Sequence, residues 1–258
     1  MKQRIVVKVG SNVLTRPDGK LDVTRMSAPV DQIAWLRQHD YEVILVSSGA
    51  MASGRGELKV DHDMDSVEQR QLFSALGQAK LIGLYYDLFR EYHMHVGQVL
   101  TMKENFEPGE QYRNQRACMM VMLENDVLPI VNENDTVSVT ELMFTDNDEL
   151  SGLIARMMHA DTLILLSNID GIYSGNPDDP ASQLIRNVEP GEDLSQYIQT
   201  EKSAFGRGGM HSKYTTASKI SQEGIRVIIA NGERDNILVD LVQKPQTIPH
   251  TEFLPKQL

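Results

Sequence analysis

Cysteine is nearly absent from this chain of 258 residues, which contains only Cys118. A single thiol excludes an internal disulfide framework and any zinc site built from several thiolates. Basic residues are also few, since 25 Lys and Arg stand against 36 Asp and Glu and give a formal charge of −11. Because binding to nucleic acid phosphates requires clustered cations, this deficit argues against nucleic acid as the main partner.

Long hydrophobic runs are missing as well. No stretch of the sequence approaches the ~18 consecutive apolar residues that a membrane span needs, and Lys8 interrupts the first apolar run too early for a signal peptide. The content of 41% apolar and 24% charged residues is that of a globular protein, not of a disordered, collagen-like or coiled-coil chain. We therefore expect a soluble, cytoplasmic protein with no membrane partner.

Short apolar runs alternate with helical patterns along the whole chain. Five runs without polar alternation are typical of strands buried in a parallel sheet, and they cover residues 5–9, 43–46, 127–131, 162–166 and 226–230. Apolar residues spaced by threes and fours predict helices over about 72–89, 114–125 and 210–224. This alternation predicts an α/β fold, an open αβα sandwich whose mostly parallel central sheet carries helices on both faces. We expect a single domain over residues 1–258, with the tail from residue 244 as an extended strand or arm.

Polar or glycine-rich segments follow the apolar runs. In open α/β sheets, ligands bind beyond the carboxyl ends of the strands, so we expect these segments to lie on one edge and form a site. They are residues 10–12, 47–50, 132–135 and 167–171, and a fifth segment, 206–209, opens the helix that carries Lys213.

The glycines of these segments are candidates for binding phosphate. Gly10, Gly49 and the pair 208–209 could bring backbone N–H groups close to an anion, although for any one of them alone a turn glycine is the favoured interpretation. The segment 49–56 has the spacing of a P-loop, but Arg55 and Gly56 replace the required Lys and Ser or Thr. No G-x-G-x-x-G segment follows a strand, which argues against a nicotinamide-dependent oxidoreductase. A bound nucleotide would therefore be held in another way.

Two lysines occupy unfavourable positions. Lys8 lies near the end of an apolar strand, where an ammonium group either contacts an anion or extends to solvent. Lys213 lies in the first turn of its helix, where the helix dipole disfavours a cation. A bound phosphate would offset the unfavourable electrostatics of both ammonium groups. The alternative is that both lysines extend to solvent as ordinary surface residues.

Two acidic segments, 132–135 and 145–148, lie thirteen residues apart. Calcium is a poor explanation, because residues 146–151 lack the glycine that an EF-hand loop needs at its sixth position. Asp146 or Asn147 could cap the following helix. The functional interpretation is a polar pocket that holds a small substrate amine and orders the nearby lysines. No nucleophile elbow surrounds Ser47 or Ser48, so a Ser-His-Asp hydrolase has no support.

The order and spacing of these segments resemble the glutamate 5-kinases, a family of the amino-acid kinase superfamily. The resemblance extends to about Gly232 and rests on residues 7–14, 46–50, 76–78, 131–135, 146–150, 170–173 and 206–210 together with Lys213. It implies the amino-acid kinase fold and the transfer of the γ-phosphoryl group of MgATP to the side-chain carboxylate of L-glutamate. The products would be ADP and an acyl phosphate that enters proline biosynthesis.

The resemblance also implies a role for each site residue. Lys8 and Lys213 would contact the transferring phosphoryl group while Asp148 orients them, and Ser48, Asp135 and Asn147 would hold glutamate. The residues expected to line ATP are Lys8, Gly10, Ser11, Ser167, Asn168, Arg207, Gly208, Gly209, Met210, His211, Ser212 and Lys213. Mg²⁺ is expected on ATP and not on protein side chains. Proline is the expected feedback inhibitor, through a loop that resembles residues 57–68, and a homo-oligomer is expected.

Two departures from the family and two alternatives complete the predictions. Many members carry a C-terminal PUA domain, for which a chain ending at Leu258 has no room, and Arg207 stands where a small or hydroxylated residue is more usual. A sister kinase acting on N-acetylglutamate or UMP is one alternative, against which Ser11 and the 132–135 segment favour free glutamate. A catalytically silent amino-acid sensor is the other, and it would lack the lysines that this chain retains.

Overall fold

The computed structural model describes residues 2–139, 143–198 and 209–257. Eight strands form one sheet in the order β3-β4-β2-β1-β5-β7-β8-β6. Their bounds are β1 Gln3–Val9, β2 Tyr41–Ser47, β3 His95–Thr101, β4 Val127–Glu133, β5 Thr162–Ser167, β6 Asn187–Val188, β7 Arg226–Asn231 and β8 His250–Phe253. Neighbouring strands run parallel except β7 and β8, which pair antiparallel.

Helices cover both faces of the sheet. They are α1 Ser11–Leu14, α2 Val23–Gln38, α3 Ala50–Glu57, α4 Ser66–Arg90, α5 Glu110–Glu124, α6 Asn147–Met157, α7 Met210–Gln222 and α8 Ile237–Gln243. Side chains of α2, α4 and α8 fill one core, and side chains of α5, α6 and α7 fill a second core on the opposite face. The predicted αβα sandwich with a mostly parallel sheet is therefore confirmed.

The alternation of side chains along β1 decides where Lys8 lies. Successive residues of a strand point to opposite faces, and accordingly Ile5, Val7 and Val9 pack into the first core while Val6 packs into the second. Lys8 follows the same alternation and lies on the face of Val6, which is the face covered by α6 and α7. Near the end of the strand, this places a buried ammonium group beside the starts of those two helices.

Strand β1 lies between β2 and β5, where the direction of the connections reverses. Lys8 is in register with Val46 of β2 and Leu165 of β5, so three neighbouring strands end together. A crevice forms at such a switch point, because the connections leave the sheet on either side. The polar segments that follow these strands therefore meet at one place.

Side-chain caps fix the beginnings of two helices near this crevice. Asp65 and Glu68 form a capping box at the start of α4. At the start of α6, the Asp146 side chain accepts hydrogen bonds from the backbone N–H groups of Asp148 and Glu149. The capping interpretation of Asp146 is confirmed, and the cap holds the first turn of α6 against the ends of the strands.

Five of the strands and three of the helices match the predicted segments, while β3, β6, α1, α2, α3 and α8 were not predicted. Strand β3 is an edge strand in which exposed residues such as His95 and Gln98 interrupt the apolar pattern. Strand β8 lies inside the expected extended tail. Within the described ranges, no helix combines the length and the apolar character needed to cross a bilayer. The single-domain assignment over 1–258 stays a prediction.

Helices α3 and α4 touch through two glycines. A Cβ atom at Gly77 would lie 1.7 Å from the carbonyl oxygen of Ala50, and one at Gly54 would lie 1.9 Å from that of Phe73. Only glycine allows the two backbones to approach this closely. The pair of helices therefore behaves as one wall beside the crevice.

We predict that Gly77→Ala lowers the free energy of unfolding by about 1–3 kcal/mol, since an added methyl group must push α3 away from α4. Gly83 lies in the same helix with open space around its Cα. Gly83→Ala is the matched control, and it should raise the free energy of unfolding by about 0.5–1 kcal/mol through helix propensity. Urea unfolding of both variants measures the difference, and equal effects would contradict the close contact.

Candidate active site

A cavity of about 1200 Å³ opens at the carboxyl ends of β1, β2, β4 and β5. Segments on both sides of β1 form its walls, so residues that are far apart in the sequence line the same cavity. Of the residues predicted for the site, the following line it: Lys8, Gly10, Ser11, Ser48, Asp135, Asn147, Ser167, Asn168, Gly209, Met210 and Lys213. The structure thus brings the candidate nucleotide and substrate residues together.

The centre of the cavity floor is a buried group of three charges. The Nζ atom of Lys8 lies 2.7 Å from Asp148 Oδ1, and the Nζ atom of Lys213 donates a hydrogen bond of 2.9 Å to Asp148 Oδ2. Asp148 is completely buried, and the two lysines are 5% and 7% exposed. These side chains come from β1, α6 and α7, and the group carries a net charge of +1.

Burial and mutual attraction act against each other in this group. Burial alone would raise the pKa of Asp148, but the two neighbouring ammonium groups hold it below its usual value. Burial lowers the pKa of Lys8, Asp148 opposes this shift, and Lys213 adds to it. The aspartate is therefore the charge that allows two lysines to lie side by side out of water. The sequence-based role of Asp148 as the residue that orients the lysines is consistent with this geometry.

A hydrogen-bond chain connects the candidate substrate residues. The Nδ2 atom of Asn147 donates to Ser48 Oγ over 2.9 Å and to Asn132 Oδ1 over 3.0 Å. Asn132 in turn donates to Gln78 Oε1 over 2.8 Å. The first residue of α6 is thereby tied to the ends of β2 and β4 and to α4. Ser48 and Asn147 are thus next to each other, in agreement with the resemblance, which implies that both bind one ligand.

Asp135, the third candidate substrate residue, is paired with an arginine. Arg70 of α4 donates to Asp135 Oδ1 from Nε over 2.8 Å and from Nη2 over 2.6 Å, and its Nη2 also lies 2.9 Å from Glu133 Oε2. Glu133 accepts further hydrogen bonds from the Ser138 hydroxyl and the Phe144 N–H group. Asp135 therefore lines the cavity in a fixed arrangement at its acidic end.

The predicted phosphate glycines occupy distinct positions. A Cβ atom at Gly10 would lie 3.1 Å from the Nζ atom of Lys8, so this glycine leaves room beside the ammonium group. Gly49 has φ of +108°, a conformation that L side chains rarely adopt, and it begins α3. Gly209 begins α7 without a side-chain cap. Gly209 and Met210 line the cavity, so the N-terminal end of α7 lies beside it, which favours an anion.

The remaining nucleotide candidates divide into three groups. Ser167 and Asn168, after β5, line the cavity beside Gly209 and Met210. His211, which is exposed, and Ser212 lie on α7 but do not line the cavity. The structure therefore gives no support for contacts from these two side chains. Arg207 and Gly208 lie outside the described residues.

Asp146 lines the cavity and caps α6. One carboxylate oxygen caps α6, while Oδ2 is buried and has no hydrogen-bond partner among the described residues. A buried carboxylate oxygen of this kind is costly unless a cation approaches it. Within the part of the chain that the structure describes, no group of three or more His, Cys, Asp or Glu side chains forms a metal site. The arrangement thus fits a cation that brings most of its own ligands.

Among the polar residues that line the cavity, Arg70 was not predicted for the site, and Asn132 and Asp146 were predicted only as members of the two acidic segments. Arg70 shares the buried face of α4 with Phe73, Ser74 and Gly77, at spacings of three, four and seven residues. A lone arginine on the buried stripe of a helix is the signal that could have identified it. Asn132 follows the apolar run of β4 directly, and its position at the strand end was the available signal.

Comparison with known proteins agrees with this geometry. The model of the amino acid kinase family matches residues 3–231. The glutamate 5-kinase of Bacteroides thetaiotaomicron is 67% identical over 258 residues, covering 99% of this chain and 72% of the relative. The glutamate 5-kinase of Chlorobaculum tepidum is 46% identical, covering 99% of this chain and 71% of the relative.

Solved structures share the fold at low identity. A carbamate kinase from Giardia lamblia has a TM-score of 0.70 at 17% identity and covers 99% of both chains. A UMP kinase from Ureaplasma parvum has a TM-score of 0.67 at 18% identity, covering 98% of this chain and 99% of that one. The family match and the high identity over nearly the whole chain carry the assignment. The chain therefore belongs to the amino acid kinase family and, within it, to the glutamate 5-kinases.

Proposed function

We propose that this protein transfers the γ-phosphoryl group of ATP to the side-chain carboxylate of L-glutamate, giving ADP and L-glutamyl 5-phosphate as the first step of proline biosynthesis. The names of its relatives support the activity. The observation that carries it is the buried Lys8–Asp148–Lys213 group at the meeting point of the two halves of the cavity.

The acceptor needs no general base, because a carboxylate is already ionised at neutral pH. One of its oxygens forms a bond to the γ-phosphorus as the bond to the β,γ-bridging oxygen breaks, and that electron pair leaves with ADP. What the protein supplies is position and positive charge around the migrating group. Lys8 and Lys213 each contact a different oxygen of Asp148. The aspartate thereby holds both ammonium groups beside the migrating phosphoryl group.

The acidic end of the cavity selects the acceptor. Asp135 presents a carboxylate where the free amine of glutamate would lie, Asp146 adds negative charge to the same cavity, and Ser48 and Asn147 present hydrogen-bonding groups to the carboxylates of glutamate. An N-acetylated amine carries no charge and gains nothing from these aspartates. The phosphate of UMP would be repelled by them. Free glutamate is therefore the favoured substrate over either alternative.

Mg²⁺ fits this site as an ion that arrives with ATP. Asp146, through its unpartnered Oδ2, is the residue that would hold it on the protein side. When bound, the ion neutralises charge on the β- and γ-phosphates. Gly10, Ser11 and the start of α7 would bind the phosphates, and Ser167, Asn168 and Met210 would line the rest of the nucleotide.

Three further assignments belong to the proposal. Proline would compete with glutamate, since Ser66 and Val67, at the end of the segment expected to bind it, line the same cavity as Ser48 and Asp135. The protein would work in the cytoplasm as a homo-oligomer. The chain would act as one kinase domain, because residues from β1 to α7 contribute to a single site.

The reaction can be tested by trapping its product. We expect purified protein, MgATP, L-glutamate and hydroxylamine to give the coloured hydroxamate of an acyl phosphate, with added proline suppressing it. Parallel reactions with N-acetylglutamate and UMP should release no ADP above background. ADP released only with one of these acceptors would keep the phosphoryl transfer but contradict the roles of Ser48, Asp135 and Asn147.

We predict that Lys213→Met keeps the fold but lowers kcat by about 10²- to 10³-fold, because one of two cations on the migrating phosphoryl group is lost. Lys219 is exposed on the same helix and lies outside the cavity. Lys219→Met is the matched control and should retain full turnover. Hydroxamate formation measures kcat, and circular dichroism verifies the fold of both variants. Full activity of Lys213→Met would remove this residue from the mechanism.

A further inference from the structure

Arg70 makes a contact that the phosphoryl transfer does not use. Its guanidinium lies between two carboxylates, Asp135 and Glu133, and its side chain is only 11% exposed. Both donors that reach Asp135 contact the same oxygen, Oδ1. Among the described residues no donor contacts Asp135 Oδ2. One oxygen of Asp135 is therefore anchored, and the other is available to a ligand in the cavity.

The anchor itself is held firmly. Arg70 lies in the second turn of α4, which begins at the Asp65 capping box and packs against α3 through Gly77. Phe73 and Ser74, one turn further along, share its buried face. Glu133 is buried at the end of β4. The guanidinium therefore connects a rigid helix to a rigid strand, and the same guanidinium holds Asp135, two residues past the end of β4.

We propose that Arg70 is a positioning residue for acceptor specificity: it turns the free oxygen of Asp135 toward the amino group of the substrate. This inference rests on the proposed glutamate kinase activity and deepens it. Without the guanidinium, Glu133 and Asp135 are like charges close together in a site of low exposure, and repulsion would turn Asp135 away. The forked guanidinium also contacts both carboxylates at once, which a lysine cannot do in the same geometry.

Ligands with and without an amino group should respond differently to the loss of Arg70. Glutarate has the same two carboxylates as glutamate but no amine, so it cannot use Asp135. We expect Arg70→Met to raise the KM for glutamate about tenfold or more while kcat stays within about threefold. The inhibition constant of glutarate against glutamate should stay the same. Arg70→Lys should recover part of the loss, because it restores the charge without the fork.

Two controls separate positioning from general damage. Arg226, at the opposite end of the sheet, makes a comparable two-point pair with Glu252, at 2.6 and 2.8 Å. Arg226→Met should lower the unfolding midpoint without changing either constant. In an Asp135→Asn background, Arg70→Met should have no further effect on the KM for glutamate, since both changes act through one contact.

The outcomes are distinct. A rise in the KM for glutamate with unchanged glutarate inhibition and nearly unchanged kcat supports the proposal. Parallel losses for glutamate and glutarate, a loss confined to kcat, or an unchanged KM would each overturn it. Failure of the wild-type protein to form hydroxamate from glutamate would instead overturn the proposed function, and the wild-type reaction is measured first for that reason.

Discussion

The site depends on one buried carboxylate that balances two ammonium groups. Asp148 is contributed by α6, Lys8 by β1 and Lys213 by α7, so the contact joins the central strand to two helices of one layer. Removing charges from water is expensive, and such a group persists only when its partners are well placed. The cap on α6, the alternation along β1 and the position of Lys213 in the first turn of α7 all serve this placement.

The distribution of charge along the cavity matches the two substrates. Its centre carries two cations against one anion, which suits a migrating phosphoryl group. At its acceptor end lie the carboxylates of Asp135 and, behind it, Glu133, both paired with Arg70, and Asp146 also lines the cavity. A ligand with a carboxylate at one end and an ammonium at the other can satisfy both regions. Free glutamate has this arrangement.

Much of this could be predicted from the sequence, and the failures have physical causes. Unbroken apolar runs identified the central strands because both of their faces are buried, whereas β3, at the edge, has a mixed pattern. The polar segment after β2 pointed to Ser48 through its strand-end position, and the second acidic segment together with the resemblance pointed to Asn147 and Asp148. Arg70 was missed because its partners, Glu133 and Asp135, are more than sixty residues away. Long-range pairing leaves only a faint periodic signal in the helix.

The position of β1 in the middle of the sheet has a consequence for how such proteins diversify. The residues proposed for the acceptor lie at β2, β4 and α4 on one side of it, while those proposed for the nucleotide lie at β5 and α7 on the other. Among the described residues, the shared strand and the first turn of α6 lie between the two proposed sets. Mutations can therefore remodel the acceptor side and leave the phosphate-handling side intact. In this view the fold is kept while the acceptor side of the cavity changes. The occurrence of the same fold in a carbamate kinase and a UMP kinase, at 17% and 18% identity, is consistent with it.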